Sequence, residues 1–151
     1  MRRKLSGVAV VACASSLVVS LGTGASADAT YHTARIALAS PTGAPGGGTV
    51  INIHADGPRV YAHEVYLLHG VSPGDYAITL TIYGTTHDCS GPVALALQTA
   101  TVSTNAVGNG RSDVVFTPEQ AAPLRGLTVS AVWTATGPAD YTSVCSVITL
   151  D

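Results

Sequence analysis

The stretch Tyr76-Ala77-Ile78-Thr79-Leu80-Thr81-Ile82-Tyr83 decides the fold class. In an extended chain Tyr76, Ile78, Leu80 and Ile82 point to one side, and Ala77, Thr79, Thr81 and Tyr83 to the other. Period-two alternation with β-branched residues is the mark of a half-buried strand. Working outward, Leu127, Val129, Ala131 and Trp133 repeat it, as do Ile36 with Leu38 and Ile51 with Ile53. Val65 to Leu68 is apolar on both faces and reads as a central strand. Between Val93 and Thr104 the apolar parity switches from Val93, Leu95 and Leu97 to Ala100 and Val102, which predicts a bulge or break near Gln98. The last strand runs from Tyr141 to Leu150 and carries Cys145.

Turn residues punctuate these runs closely: Pro41 to Gly48, Asp56-Gly57-Pro58, Ser72-Pro73-Gly74-Asp75, and Asn105 to Gly110. One helical turn is expected, with Thr117 as cap, Pro118 at the first helical position, Gln120 completing a capping box and Pro123 ending it. The pattern predicts an all-β fold, a single Greek-key β-sandwich or flattened barrel of about eight strands.

The start of the chain does not belong to that fold. Arg2, Arg3 and Lys4 precede the apolar run Val8 to Leu21, and Ala25-Ser26-Ala27 supplies small residues for a signal peptidase. Residues 1–27 therefore read as a secretory signal peptide and 28–151 as the β domain. The apolar run falls short of the ~20 residues a membrane span needs. The mature part keeps Arg35, Arg59, Arg111 and Arg125 with no Lys, against nine Asp and Glu, a formal charge of −5 (4 − 9) with His neutral. That balance disfavours nucleic acid and anionic membrane as partners. It leaves a surface of Thr, Ser, Gly and Ala, and no Asn-x-Ser/Thr acceptor occurs. Cys89 and Cys145 remain after processing, and an even count in an exported chain reads as a disulfide.

The order of features resembles the copper/zinc superoxide dismutase family. The matching pieces are Gly70-Val71-Ser72-Pro73-Gly74, the strand Tyr76 to Tyr83, Gly84, Cys89, Gly91-Pro92 and Val144-Cys145-Ser146-Val147-Ile148. Ala34-Arg35-Ile36-Ala37 and Thr49-Val50-Ile51-Asn52-Ile53 sit where the first two strands of that family would, and Leu124 to Val129 resembles a later one. The resemblance implies the fold but departs at the metal ligands. Thr79-Leu80-Thr81 stands where the family has the copper-binding His-x-His, Val93 where the bridging His would come, and Thr142-Ser143 near the place of its substrate-guiding Arg. Hydroxyls are poor substitutes for imidazole at copper. The resemblance thus argues for an architecture and against dismutase chemistry. A looser similarity, to bacterial immunoglobulin-like domains, rests on the strand-Pro-Gly-x-Tyr-strand pattern.

The remaining chemistry is sparse. His32, His54, His63, His69 and His87 show no metal-ligand spacing and are expected to be exposed or in turns. Neighbours in a strand face opposite sides, so His63 and Glu64 are not a pair. His87-Asp88-Cys89 is the one loop cluster beside the expected disulfide. Cleavage after Ala29 would create a Thr30-Tyr31-His32 terminus able to offer Cu(II) or Ni(II) a square-planar nitrogen site. His32, His87 and Asp88 are accordingly the candidate metal residues. Ser72 and Ser90 lack a nucleophile motif, and Asp75, Asp88, Asp113 and Asp140 read as turn or edge residues. The tyrosines and Trp133 are expected to pack in the core or at strand edges, with Tyr61 and Tyr83 as candidate surface anchors. Together these features predict a secreted, non-enzymatic module without a cofactor that binds an extracellular or cell-wall partner. The alternative is a copper- or nickel-binding secreted protein.

Overall fold

The computed structural model describes residues 31–55, 61–84 and 87–150. The expected signal peptide and Thr30 lie outside the described residues, as do the side chains of Tyr31 and Tyr61. Nine strands follow in order: β1 Tyr31–Ala39, β2 Gly47–Ala55, β3 Tyr61–His69, β4 Asp75–Tyr83, β5 Val93–Ser103, β6 Gly110–Phe116, β7 Leu127–Thr136, β8 Asp140–Ser143 and β9 Ser146–Leu150. A single helical turn, α1 Pro118–Ala121, and a 3-10 turn, Ala122–Leu124, interrupt the series between β6 and β7. Among the described residues no helix is long and apolar enough to cross a membrane.

All ladders are antiparallel, and the strands form one sheet in the order β5-β4-β7-β8-β1-β2-β3-β6, with β9 beside β7. β3 lies against β6 and β4 against β7, so the β3–β4 and β6–β7 connections cross over the barrel ends in Greek-key fashion. The sheet curls until its edges β5 and β6 meet, but they are bridged only at Thr104 and Gly110. At that end the seam is tied down. The Val71 amide donates to the Gly108 carbonyl at 3.2 Å, and the Gly70 amide to Asn109 Oδ1 at 3.0 Å. Thr104 bonds Gly74 through both its backbone amide and its hydroxyl. Gly108 is required there: its φ is +76°, and a Cβ would be driven into the Val71 carbonyl oxygen. At the opposite end β5 and β6 have no ladder between them, and the barrel stays open.

The deciding stretch behaves as its alternation dictates. In β4, Tyr76, Ile78, Leu80 and Ile82 are buried and the intervening residues half-buried. The phase change in β5 is a bulge beside Gln98: Ile78 pairs with Ala100 and Thr79 with Gln98, leaving Thr99 extra. That extra residue turns its hydroxyl toward Tyr66 in the interior. The capping box forms as read, with Thr117 Oγ1 accepting from the Gln120 amide and Gln120 Oε1 accepting from the Thr117 amide at 2.9 Å. Pro123 sits inside the 3-10 turn that succeeds the helix. The final strand is broken at Val144-Cys145 into β8 and β9. Cys89 and Cys145 are disulfide-bonded with Cα atoms 5.8 Å apart, joining the loop after β4 to that break.

One expectation is overturned. Ile51 and Ile53 are only half-buried, and the inward face of β2 is Val50, Asn52 and His54. The register causes this: Val50 is paired with buried Ile36 on one side and buried Tyr66 on the other. A one-residue slip would turn all three strands inside out. His54 is therefore buried, not exposed as expected, whereas His32, His69 and His87 are exposed and His63 is half-buried.

Candidate functional site

β3 carries the centre of the site. Its inward residues are Ala62, Glu64, Tyr66 and Leu68, all buried. Glu64 keeps only 1% of its surface exposed, and a carboxyl there is costly to hold unless it is bonded on all sides. Three strands supply the bonds. Asn52 Nδ2, in register with Glu64 on β2, donates to Glu64 Oε1 at 2.9 Å. Trp133 Nε1, from β7 across the barrel, donates to Glu64 Oε2 at 3.0 Å. Tyr66 Oη, two residues along β3, stands 2.5 Å from the same Oε2.

The Tyr66 hydroxyl also lies 2.6 Å from Thr99 Oγ1, which reaches the Ile78 carbonyl at 3.4 Å. One phenol carries one proton, so the chain has two arrangements. With Glu64 ionised, Thr99 donates to Tyr66 and Tyr66 to Glu64. With Glu64 neutral, its proton goes to Tyr66, Tyr66 donates to Thr99, and Thr99 to the Ile78 carbonyl. Either arrangement leaves each hydroxyl bonded, so the carboxyl can change charge without stranding a partner. Asn52 Nδ2 is committed to Glu64, which makes Asn52 Oδ1 the acceptor facing His54 Nδ1 at 3.3 Å. The His54 ring in turn stacks on His32, centroids 5.2 Å apart.

Burial pushes the Glu64 carboxyl above its ordinary range, and the bonds from Tyr66, Trp133 and Asn52 pull it part of the way back. Burial likewise pushes the Tyr66 phenol up, reinforced by the neighbouring Glu64 charge. No positive charge is among the influences on Glu64.

Glu64 and Asn52 face a cavity of about 350 Å³. Its walls are apolar: Leu80 and Ile82 from β4, Leu95 and Leu97 from β5, Phe116 from β6 and Ile148 from β9. It exists because the seam is zipped at one end alone. Toward the other end β5 and β6 part, and α1 with its 3-10 turn sits across the gap, contributing Glu119, Gln120, Ala121, Pro123 and Leu124. Leu95 is paired with inward Ile82 yet remains 43% exposed, which puts the opening along this seam. Glu119, fully exposed in the first helical turn, has its carboxyl held below the usual range by its own backbone N–H and by Thr117.

The residues singled out from sequence fall elsewhere. Thr79 and Thr81 are half-buried on the outward face of β4. His87 and Asp88 are exposed in the loop beside the disulfide, and Asp88 Oδ1 accepts from the Ser90 amide at 3.0 Å. His32 and Tyr31 lie in the β1 ladder opposite His54 and Ala55, so a terminal nitrogen site would have to draw both out of it. Among the described residues no group of three or more His, Cys, Asp or Glu is placed to hold a metal ion. Trp133 is in the core as expected, and Tyr66, Tyr76 and Tyr141 are buried with it; Tyr83 is half-buried. The site residues that sequence reasoning passed over are Asn52, Glu64 and Tyr66. Their signal was parity, because Glu64 and Tyr66 alternate in step with buried Leu68.

In comparisons with known proteins, no family model, no curated sequence and no solved structure matches this chain.

Proposed function

We propose that this chain is an exported, non-enzymatic binding protein whose barrel takes up one small, largely apolar molecule through the open seam. The observation that carries the reading is the cavity of about 350 Å³ with a buried, three-fold bonded carboxyl on its floor. Concave, mostly apolar pockets of ~300 Å³ or more with a few placed polar groups are the usual form of small-molecule sites. A buried carboxyl also costs stability, and a role at the site accounts for its presence.

The disulfide and the signal-like start support export. The resemblance to the superoxide dismutase fold remains a proposal about architecture. It is supported by the Greek-key closure and by the bond from the loop after β4 to the last strands. Dismutase activity forms no part of the proposal, since hydroxyls stand at Thr79 and Thr81. A copper or nickel site at Thr30-Tyr31-His32 or beside His87 is the less supported alternative. Metal analysis of protein from its natural host tests it, and a stoichiometric metal would favour it.

Trp133 is the only tryptophan and is bonded to the cavity floor, so its emission reports on occupancy. Titration with a neutral apolar dye should change that emission saturably, and Leu97→Trp, which fills the cavity from β5, should abolish binding as read from the fluorescence of the dye itself. A dye that fails to bind the parent protein, or whose own fluorescence shows equal binding to Leu97→Trp, removes the reading.

A further inference from the structure

We propose that the occupant is a small apolar amine, held as its ammonium ion against Glu64; this deepens the binding reading above and rests on it. A carboxylate offers about four lone-pair directions. Tyr66 and Trp133 occupy Oε2, and Asn52 occupies one direction of Oε1. One acceptor position on Oε1 is left for a guest, and it calls for a hydrogen-bond donor. Alcohols and ammonium groups both donate, so charge decides between them.

None of the side chains bonded to Glu64 carries a charge. Its bonded partners all donate to it, yet none of the influences on its carboxyl is a positive charge. From its own strand it faces the neutral phenol of Tyr66. From β2 it meets Asn52, with the titratable imidazole of His54 two residues further along the strand and bonded to Asn52. From β7 and β5 come Trp133 and Thr99, which do not titrate. The walls on β4, β6 and β9 are hydrocarbon, and the one charged residue from α1 is Glu119 at the mouth, a second carboxylate. An ammonium entering past Glu119 supplies the counter-charge that Glu64 lacks. An anionic head group would meet two carboxylates of its own sign.

Burying an ion pair has a large desolvation cost, recovered only where the remaining bonds are in place beforehand. Here they are, because three donors already point at the carboxylate. The volume accommodates about a dozen water-sized groups, which limits the guest to a short alkyl or single-ring amine. The proton balance follows. Any proton that Glu64 carries passes to solvent as the ammonium ion arrives, and the Tyr66–Thr99 hydroxyls then donate toward the carboxylate.

The test displaces the neutral dye with three probes of one chain length: hexylamine, 1-hexanol and hexanoate. Hexylamine is expected to compete at least tenfold better than hexanol, with hexanoate weakest. Calorimetry in buffers of different ionisation heat, repeated from pH 7.5 down to pH 5, should show proton release in the unsubstituted protein that grows as the pH falls. Glu64→Gln should bring hexylamine to the level of hexanol or below, both competitors being scaled to the dye affinity of that variant. Equal or better competition by hexanol or hexanoate overturns the amine assignment, as does an amine preference that survives in Glu64→Gln or binding without proton release at every pH in that range. Failure of the dye itself would instead sink the cavity reading, and the amine with it.

Discussion

Glu64 should make the stability of this protein fall as pH rises, and Glu64→Gln should remove that fall. A group whose folded-state pKa is raised binds more protons folded than unfolded between its two pKa values. For a carboxyl, stability is then greatest below the unfolded value, near 4.5, and declines from there toward the raised folded value. The slope reaches about 1.4 kcal/mol per pH unit where the unfolded chain is ionised and the native carboxyl is not. The amide is a fair reference because the network can absorb it. The carbonyl of the substituted side chain takes the Oε2 position, accepting from Trp133 and Tyr66. Its NH2 then meets Asn52, which must flip to present Oδ1, and His54 must present its unprotonated Nδ1 to the displaced amide. With two reorientations and the second N–H of the new amide turned to the cavity, the substitution should cost about 1 kcal/mol at low pH. The assay is urea unfolding followed by Trp133 emission at pH 4.5, 6 and 7.5, in both proteins. The parent should lose stability relative to Glu64→Gln as pH increases. A difference independent of pH, or one growing in favour of the parent, would refute the placement of Glu64 in an uncompensated interior.

Three further outcomes follow from local geometry. Gly108→Ala combines a left-handed backbone with a Cβ driven into Val71, so it should destabilise by roughly 2–3 kcal/mol in the same urea assay, and a neutral result would contradict the tied end of the seam. Replacing Cys89 and Cys145 together by serine opens a closure of 56 residues, for which chain entropy gives a ceiling of about 4 kcal/mol; thermal unfolding should show a loss of that order or somewhat less. Thr99→Val deletes the hydroxyl between Tyr66 and the Ile78 carbonyl, leaving Tyr66 no second partner. It should cost about 1 kcal/mol and flatten the pH dependence, because the neutral form of Glu64 can no longer pass its proton direction onward and loses its advantage in the fold.

Much of the fold was legible because period-two patterning states which side of a strand is wet. β4 obeys it residue by residue, and the β5 parity change located the bulge beside Gln98 that aims Thr99 inward. Local rules of the same kind predicted the Thr117 capping box and the pairing of two cysteines. β2 was misread because Val50, Ile51 and Ile53 are apolar on both faces, and only the partner strands choose between them. The site was nearly illegible for a related reason. Glu64 and Asn52 are polar residues on the inward parity, which looks like an outward face until Tyr66 and Leu68 are seen to share it. Their partner Trp133 lies 69 residues away, a contact that no local pattern carries.

The half-zipped seam also sets where this barrel is vulnerable. Along Val93-Ala94-Leu95-Ala96-Leu97, β5 bonds β4 on one side and offers its other backbone edge without a ladder partner. That run has no charge and no proline, the two usual guards against a second chain adding as a strand. The facing edge, β6, is guarded by Arg111 and Asp113, both exposed. Self-association should therefore begin at β5, checked by the helical turn across the gap, by the irregular pairing at Ala94 and Thr99 and by whatever fills the space behind Leu95. An occupied barrel would resist such strand addition, so a guest would act for this protein as a solubiliser as well as a cargo.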